Sequence, residues 1–470
     1  MFADRSDLLA DADPVRGYGV AVTPGRDGPL VFVAGYGEAN RLYARTGGAG
    51  TPFVDTACGI VADDGRHAMG VCAADLDADG CEEIYVHNCA NSVGVAGDSD
   101  LLLSRLEAGG YRWTDTFARP VNADRLNFRA GRSVAALDRL GTGRYGVAVA
   151  SFGAPLAFYE LGDDGEASDM AAAVGLSVDD GCRSLLPGPL WSPRTDLFVG
   201  VEGGPNRLFR NEGGHFEPVA GGSALADPDG DARGVSLVDE GGRFALTVGN
   251  WEGESRLLRR TDGGLYRDDA PPAFQATERV RSVVAADFDN DGRQELFCNA
   301  FGVTNRLFER ADPVSDPDAE PRWTATSAGA AAESGGFGTG AVAADLDGDG
   351  VVELLVVHGE VAAQPISVYA VPGAADNGWI RVRPTTTHGA PARGATVALT
   401  ADDGTMARRV IDAGGGSLCQ TEPVAHFGLG DNTPRRVSVR WPDGRELTLE
   451  DPSPNTTIEV PHPAAGTTLQ

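Results

Sequence analysis

Apolar residues along this chain fall in short β-branched and aromatic runs separated by Gly- and Asp-rich turns. Pairs of such runs recur: Tyr18-Gly-Val-Ala-Val with Leu30-Val-Phe-Val, Cys182-Arg-Ser-Leu-Leu with Asp196-Leu-Phe-Val, and Gly234-Val-Ser-Leu-Val with Phe244-Ala-Leu-Thr-Val. Each pair predicts two strands joined by a turn. A second signature follows at a fixed place: Asn40-Arg-Leu-Tyr, Asn206-Arg-Leu-Phe, Ser255-Arg-Leu-Leu and Asn305-Arg-Leu-Phe. A third is an aromatic strand: Phe53-Val-Asp, Tyr111-Arg-Trp-Thr-Asp, His215-Phe-Glu, Leu265-Tyr-Arg-Asp and Trp323-Thr. Aligned on these marks, the first turn of each unit falls near residues 22, 75, 138, 188, 237, 287 and 345.

Seven units of about four short strands each predict the blades of a β-propeller, because one small sheet cannot bury both faces alone. The seventh unit lacks an aromatic outer strand: after Ser367-Val-Tyr-Ala-Val371 the chain runs into Pro-Gly-Ala-Ala-Asp-Asn-Gly, a linker. Met1-Phe-Ala-Asp-Arg-Ser resembles Pro52-Phe-Val-Asp-Thr-Ala and Leu265-Tyr-Arg-Asp-Asp-Ala. The N-terminus is therefore expected to supply the last strand of the last blade and to close the ring, removing an exposed edge. The expected fold is all-β: a seven-bladed propeller over residues 1–375 and a small β domain over residues 376–465.

Three turns carry the chemistry: Asp75-Leu-Asp-Ala-Asp-Gly80, Asp287-Phe-Asp-Asn-Asp-Gly292 and Asp345-Leu-Asp-Gly-Asp-Gly350. Alternate carboxylates converging on a Gly turn suit a hard cation that takes oxygen ligands. An EF-hand requires a bidentate Glu at position twelve, where this chain has Val86, Cys298 and Val356. Position nine is instead Glu83, Glu295 and Glu353, each opening a strand. The expected ligands are Asp75, Asp77, Asp79, Glu83 and the Cys81 carbonyl in the first loop. In the second they are Asp287, Asp289, Asp291, Glu295 and the Arg293 carbonyl. In the third they are Asp345, Asp347, Asp349, Glu353 and the Val351 carbonyl. About three Ca²⁺ ions are expected, with Mg²⁺ disfavoured because it keeps several waters. The turn at Asp138 keeps its first Asp, but Leu140 and Thr142 replace the next two. In Asp227-Pro-Asp-Gly-Asp231 a Pro breaks the pattern.

The Ala-Ala-Asp-x-Asp-x-Asp-Gly loops resemble FG-GAP or VCBS repeats, the blade type of integrin α heads. Residues 377–462 resemble the ASPIC and UnbV domain of the cartilage acidic protein family, on Asn377-Gly-Trp-Ile-Arg-Val, Arg393-Gly-Ala-Thr-Val, His426-Phe-Gly-Leu-Gly430 and Trp441-Pro-Asp-Gly444. The resemblance implies calcium binding and interaction, and no established catalytic residues.

Composition narrows the reading. The net charge is −29, and all 39 basic residues are Arg. An acidic surface without Lys suits high-salt, halophilic surroundings, where repulsion is screened. It disfavours nucleic acid, for lack of a basic patch to release counterions. No run approaches the ~18 apolar residues of a spanning helix. Residues 1–14 lack the basic start and apolar core of a signal peptide, and the odd set of seven Cys has no C-x-x-C pair. Both point to a cytoplasmic protein with free thiols; an extracellular or cell-surface location is the alternative. His87 and His358 end equivalent strands and are expected to be structural. Gly414-Gly-Gly416 is not a phosphate loop, since no Lys-Ser or Lys-Thr follows it. The expected function is a monomeric calcium-binding scaffold that presents a rigid face to a protein or glycan. The alternative is a lyase-like carbohydrate-active enzyme or a biosynthetic accessory of UnbV type. Arg and His clusters at one end of the channel would favour the enzyme.

Overall fold

Asn and Asp side chains, as much as apolar runs, set where the chain turns. Asn40 Oδ1 accepts from the Gly35 amide at 2.8 Å and its Nδ2 donates to the Val61 carbonyl at 3.1 Å. Asn206 and Asn305 do the same for Val201 and Leu225, and for Ala300 and Ala331. The recurrent Asn-Arg-Leu signature is thus a clip across the turn between the second and third strands of a sheet. Aspartates at the ends of outer strands work alike: Asp55, Asp115 and Asp268 accept from the amides of Leu42, Leu102 and Leu257 on the neighbouring strand.

The computed structural model describes residues 1–48, 50–90, 97–106, 112–179, 181–311 and 322–465. Tyr111 of the aromatic-strand signature lies outside them; Trp113–Asp115 forms that strand. The molecule is all-β. Among the described residues the α-helices are the single turns Ser223–Ala226 and Pro272–Gln275. Seven antiparallel four-stranded sheets follow one another along the chain. The second is Ala68–Ala74, Glu83–Asn88, Leu101–Arg105 and Trp113–Asp115. The sixth is Val280–Ala286, Glu295–Ala300, Arg306–Ala311 and Arg322–Thr326. The seventh takes Gly338–Ala344, Glu353–His358 and Ser367–Ala370, and its fourth strand is Ala3–Asp4, with Ala3 opposite Ala370. Phe2 is buried there, edge-on to Phe288 at 4.9 Å. The first strand of each sheet packs on the first strand of the next, and Gly338–Ala344 packs on Gly17–Gly25 of the first sheet. The arrangement is propeller-like.

Residues 378–460 form two further sheets. Gly378–Pro384 lies between Ala425–Gly430 and Thr456–Val460. Thr396–Ala401 lies between Met406–Val410 and Pro434–Arg440, with Glu446–Glu450 outside. Ile380, Val397, Phe427, Val437 and Trp441 fill a core of their own between them.

A loop from this C-terminal part enters the middle of the seven sheets. The Ala413 carbonyl accepts from Ala136, Gly416 donates to the Val235 carbonyl at 2.7 Å, and the Leu418 carbonyl accepts from Val71 at 3.2 Å. Gln420 exchanges backbone hydrogen bonds with Val20 and Val22, and its Oε1 accepts from the Ala73 amide at 2.6 Å. Ser417 and Leu418 take left-handed φ values of 68° and 61° to turn the loop inside the channel. The first strand of each sheet has an unpaired edge, and the loop satisfies backbone groups there that would otherwise be buried without partners. Gln420 is fully buried. Gln420→Leu is expected to strand the Ala73 amide and cost about 1–3 kcal/mol, measured by denaturant unfolding. No change would show that this contact carries no weight.

Candidate metal centres

Each acidic turn follows the first strand of a sheet, and its Glu opens the second. Strand pairing therefore brings position nine back beside position one: Ala74 faces Glu83, Ala286 faces Glu295 and Ala344 faces Glu353. Between them the chain must reverse tightly. Gly80, Gly292 and Gly350 have φ of 90°, 94° and 85°, and Asp75, Asp287 and Asp345 each accept from those Gly amides. A side chain at position six would be strained in that conformation. At Gly350 it would also collide with Trp379.

The turns bring together Asp75, Asp77 and Glu83; Asp287, Asp289 and Asp291; and Asp345, Asp347 and Glu353. In each group one carboxylate oxygen per residue lies within 4.8 Å of the others. Asp79, Glu295 and Asp349 stand outside these groups, and Asp79 and Asp349 accept from the amides of Cys81 and Val351. Asp291 accepts from the Arg293 amide and pairs with its guanidinium at 3.1 Å. Glu83, Glu295 and Glu353 each use one oxygen to accept from the residue after the first Asp, at 2.7–2.8 Å. Asp287 Oδ1 and Glu353 Oε1 are buried with no hydrogen-bond partner. Three clustered carboxylates in each turn, with an orphaned oxygen in the second and third, fit a hard divalent cation that takes oxygen ligands.

Burial, with repulsion from Asp77, pushes Glu83 up to about 9, and burial, with Asp347, does the same to Glu353. Burial raises Asp75 to about 7 and Asp345 to about 6. Asp287 and Glu295 are also raised, burial leading in both.

Three arginines of the C-terminal part reach the same end of the sheets. Arg381 Nη1 lies 3.0 Å from Asp345 Oδ2 and also pairs with Glu422. Arg409 lies 3.8 Å from Asp287 and 3.4 Å from Asp239. Arg393 and Glu82 form an ion pair with both side chains buried. The sequence gives no local sign of these partners, which lie far apart in the chain.

Comparison with known proteins places the chain. Residues 385–467 match the family model described as ASPIC and UnbV. Cartilage acidic protein 1 of Homo sapiens is 38% identical over 505 residues, covering 98% of this chain and 74% of that protein. The Xenopus tropicalis protein is 36% identical, over 96% of this chain and 75% of its own length. The chain belongs to the ASPIC and UnbV family, with cartilage acidic protein 1. Among solved structures, the extracellular domain of the one component system BT4673 from B. thetaiotaomicron aligns at TM-score 0.44 and 10% identity, over 78% of this chain and 39% of that one.

In this member of the family, the His426-Phe-Gly-Leu-Gly430 motif lies on the second acidic turn. His426 Nε2 is 2.6 Å from Asn290 Oδ1, the Gly428 amide donates to Asp287 Oδ2 at 2.9 Å, and Gly430 donates to the Asn290 carbonyl. Burial first, and then Arg381 and Arg409, holds His426 well below its ordinary value. The motif is a docking surface for an acidic loop.

The raised carboxylates fix a sign. An acid whose folded pKa lies above its unfolded value of about 4 adds stability at low pH, and that stability is lost as pH rises through the folded value. With divalent cations chelated, the melting temperature is expected to fall as pH is raised from about 5 to about 9, the range of these shifts. A melting temperature that stayed flat or rose over that range would contradict the burial of these groups.

Proposed function

We propose that the chain is a calcium-stabilised scaffold. In this reading the seven sheets are the blades of one closed ring over residues 1–375, sealed by the N-terminal strand, and residues 376–465 are an ASPIC and UnbV domain seated on the calcium-loop end. The opposite end is left to bind a protein or glycan, with no catalysis. The observation that carries this reading is the threefold recurrence of clustered carboxylates at one turn of three sheets. Calcium is favoured over magnesium because the donors are several carboxylates on a turn that can adjust.

Calorimetry and metal analysis test it. Three sites per chain are expected, and two in Asp289→Ala. Each site stabilises the fold by about 2.7 kcal/mol when calcium is a hundredfold above its dissociation constant. EGTA is therefore expected to lower the melting temperature by many degrees. Five or more equivalent ions, or an unchanged melting curve after proven removal of metal, would overturn the reading.

Ring closure has its own check. The pairing of Ala3–Asp4 with Ser367–Ala370 and the burial of Phe2 support it. Removing residues 1–8 is expected to expose an apolar strand edge, giving aggregation or a large loss of stability on light scattering and thermal melts. A monomeric truncation with full stability would show that these residues do not close the ring.

The enzyme alternative gains little from the histidines it would need. His87 is buried, with Nδ1 2.9 Å from Asp100; burial alone would lower it, but Asp100 holds it up at about 9. His358 Nε2 is 2.7 Å from Glu333 and its Nδ1 contacts the Pro365 carbonyl. Both rings are held in place by contacts to a carboxylate.

A further inference from the structure

The end of the sheets away from the acidic turns carries a different chemistry. In each of the seven sheets the pairing register of the first strand shifts near its start. Such bulges re-aim the side chain they contain. In four consecutive sheets the residue at the bulge is Arg, within Gly131-Arg-Ser-Val, Cys182-Arg-Ser-Leu, Ala232-Arg-Gly-Val and Val280-Arg-Ser-Val. The first strands pack against one another around the middle of the molecule, so Arg132, Arg183, Arg233 and Arg281 share one channel mouth. They feel one another there. Burial first, and then Arg233 and Arg132, pushes Arg183 down to about 10, and Arg281 is lowered by burial and by the same two neighbours, with Glu360 opposing. In a chain of net charge −29, four converging guanidinium groups are a local inversion of sign.

Aromatic rings alternate with them, each just beyond the second strand of its sheet. Arg183 lies over Phe152 at 4.3 Å. Arg281 lies over Trp251 at 4.3 Å and over Phe301 at 5.2 Å. The rings are half-buried, so part of each meets solvent. Three carboxylates complete the mouth. Glu202 pairs with Arg183 and Arg233, Asp231 pairs with Arg233 at 2.7 Å, and Glu360 pairs with Arg281. Arg132 has no carboxylate partner among the described residues; its Nη1 donates to the Gly131 carbonyl and to Cys89 Sγ. Arg281 Nε is buried without a hydrogen-bond partner. Among the described residues these four guanidinium groups share three carboxylates, and Arg132 is the one left without.

We propose that this mouth binds an acidic saccharide whose sugar units carry a carboxylate. A uronate matches each part of it. Its carboxylate takes the spare guanidinium of Arg132. Its hydroxyls donate to Glu202, Asp231 and Glu360, and its C–H face lies on the exposed ring surfaces. An anion without hydroxyl or amide donors, such as sulfate, would meet three carboxylates with nothing to donate to them. The site lies a strand's length, about 20 Å, from the acidic turns. The proposal rests on the ring arrangement and names the ligand class of the binding end described above.

Titration calorimetry with trigalacturonate tests it, with maltotriose, hexaglutamate and inorganic sulfate as comparators. Trigalacturonate is expected to bind the intact chain more tightly than any comparator. Arg132→Gln is expected to weaken it about tenfold or more, the worth of one hydrogen-bonded charge contact, with its melting temperature unchanged, and Trp251→Leu, which removes a ring face, is expected to weaken it as well. No trigalacturonate binding to the intact chain would overturn the proposal whatever the variants do. Equal binding of sulfate or hexaglutamate, or unaltered binding by a folded Arg132→Gln, would overturn it as well. Asp289→Ala separates this from the metal reading. If calcium adds no stability but trigalacturonate still binds, only the metal reading fails. If calcium stabilises and trigalacturonate does not bind, only the saccharide proposal fails.

Discussion

Buried carboxylates need countercharge, and most of this architecture can be traced to how they find it. The first Asp of each acidic turn is tied down by backbone amides, and its Glu partner is pulled in by strand pairing. Neither residue can move out to water without breaking the sheet. The charge must be met where it stands. Part of the answer is Arg381 beside Asp345 and Arg409 beside Asp287, both from the C-terminal part. Among the described residues the first turn has no ion pair to an arginine of the C-terminal part; its neighbour Glu82 takes Arg393 instead. The three turns are thus unequal in what they still require, and Asp75 and Glu83 would lean most on a cation.

Ion pairs at this seam are poor evidence for stability in themselves, because desolvation offsets their attraction. Their effect is on specificity. Arg393 is fully buried, and its donors are taken by Glu82 and by the carbonyls of Val22, Asp412 and Thr421. A rotated or shifted C-terminal part would leave that guanidinium and Glu82 buried and unpaired, a far larger cost than the pair's net gain. The seam therefore admits one docking geometry, and that geometry sends the 413–420 loop into the channel.

Local pattern reveals what depends on local pattern. The acidic turns, the paired strands and the recurrence of Asn-Arg-Leu were legible because each is a short-range device repeated down the chain, although the clip that Asn makes was not. The neighbour of the N-terminal strand was legible because the repeat left a gap of one strand. Gly414-Gly-Gly416 could be recognised as something other than a phosphate loop, but its place inside the channel could not. Its partners, from Val20 to Val235, are backbone groups with no side-chain signature. Arg381 and Arg409 were hidden for a related reason, since in a chain whose basic residues are all Arg none stands out by type. The bulge arginines did carry a signal, the fourfold Arg-Ser/Gly-Val/Leu. It is easily passed over, because a run such as Cys182-Arg-Ser-Leu-Leu reads as an ordinary strand until the bulge turns its Arg toward the axis.

The two ends of the molecule are joined through that loop. Its tip, Leu418, packs in one apolar cluster with Tyr18 and Met69. Those two residues occupy, in the first and second sheets, the bulge position that Arg132, Arg183, Arg233 and Arg281 occupy in the next four. The C-terminal part thus reaches from the acidic turns to the arginine mouth and supplies its apolar floor. An open ring would leave the arginines around a water-filled hole, where each guanidinium is screened. With the loop among the first strands, the apolar cluster of Leu418, Tyr18 and Met69 adjoins the mouth, and a charge beside apolar surface counts for more. The buried arginines at the acidic-turn end and the arginines of the mouth thus lie at the two ends of one loop, and residues 413–420 bring apolar surface beneath the second set.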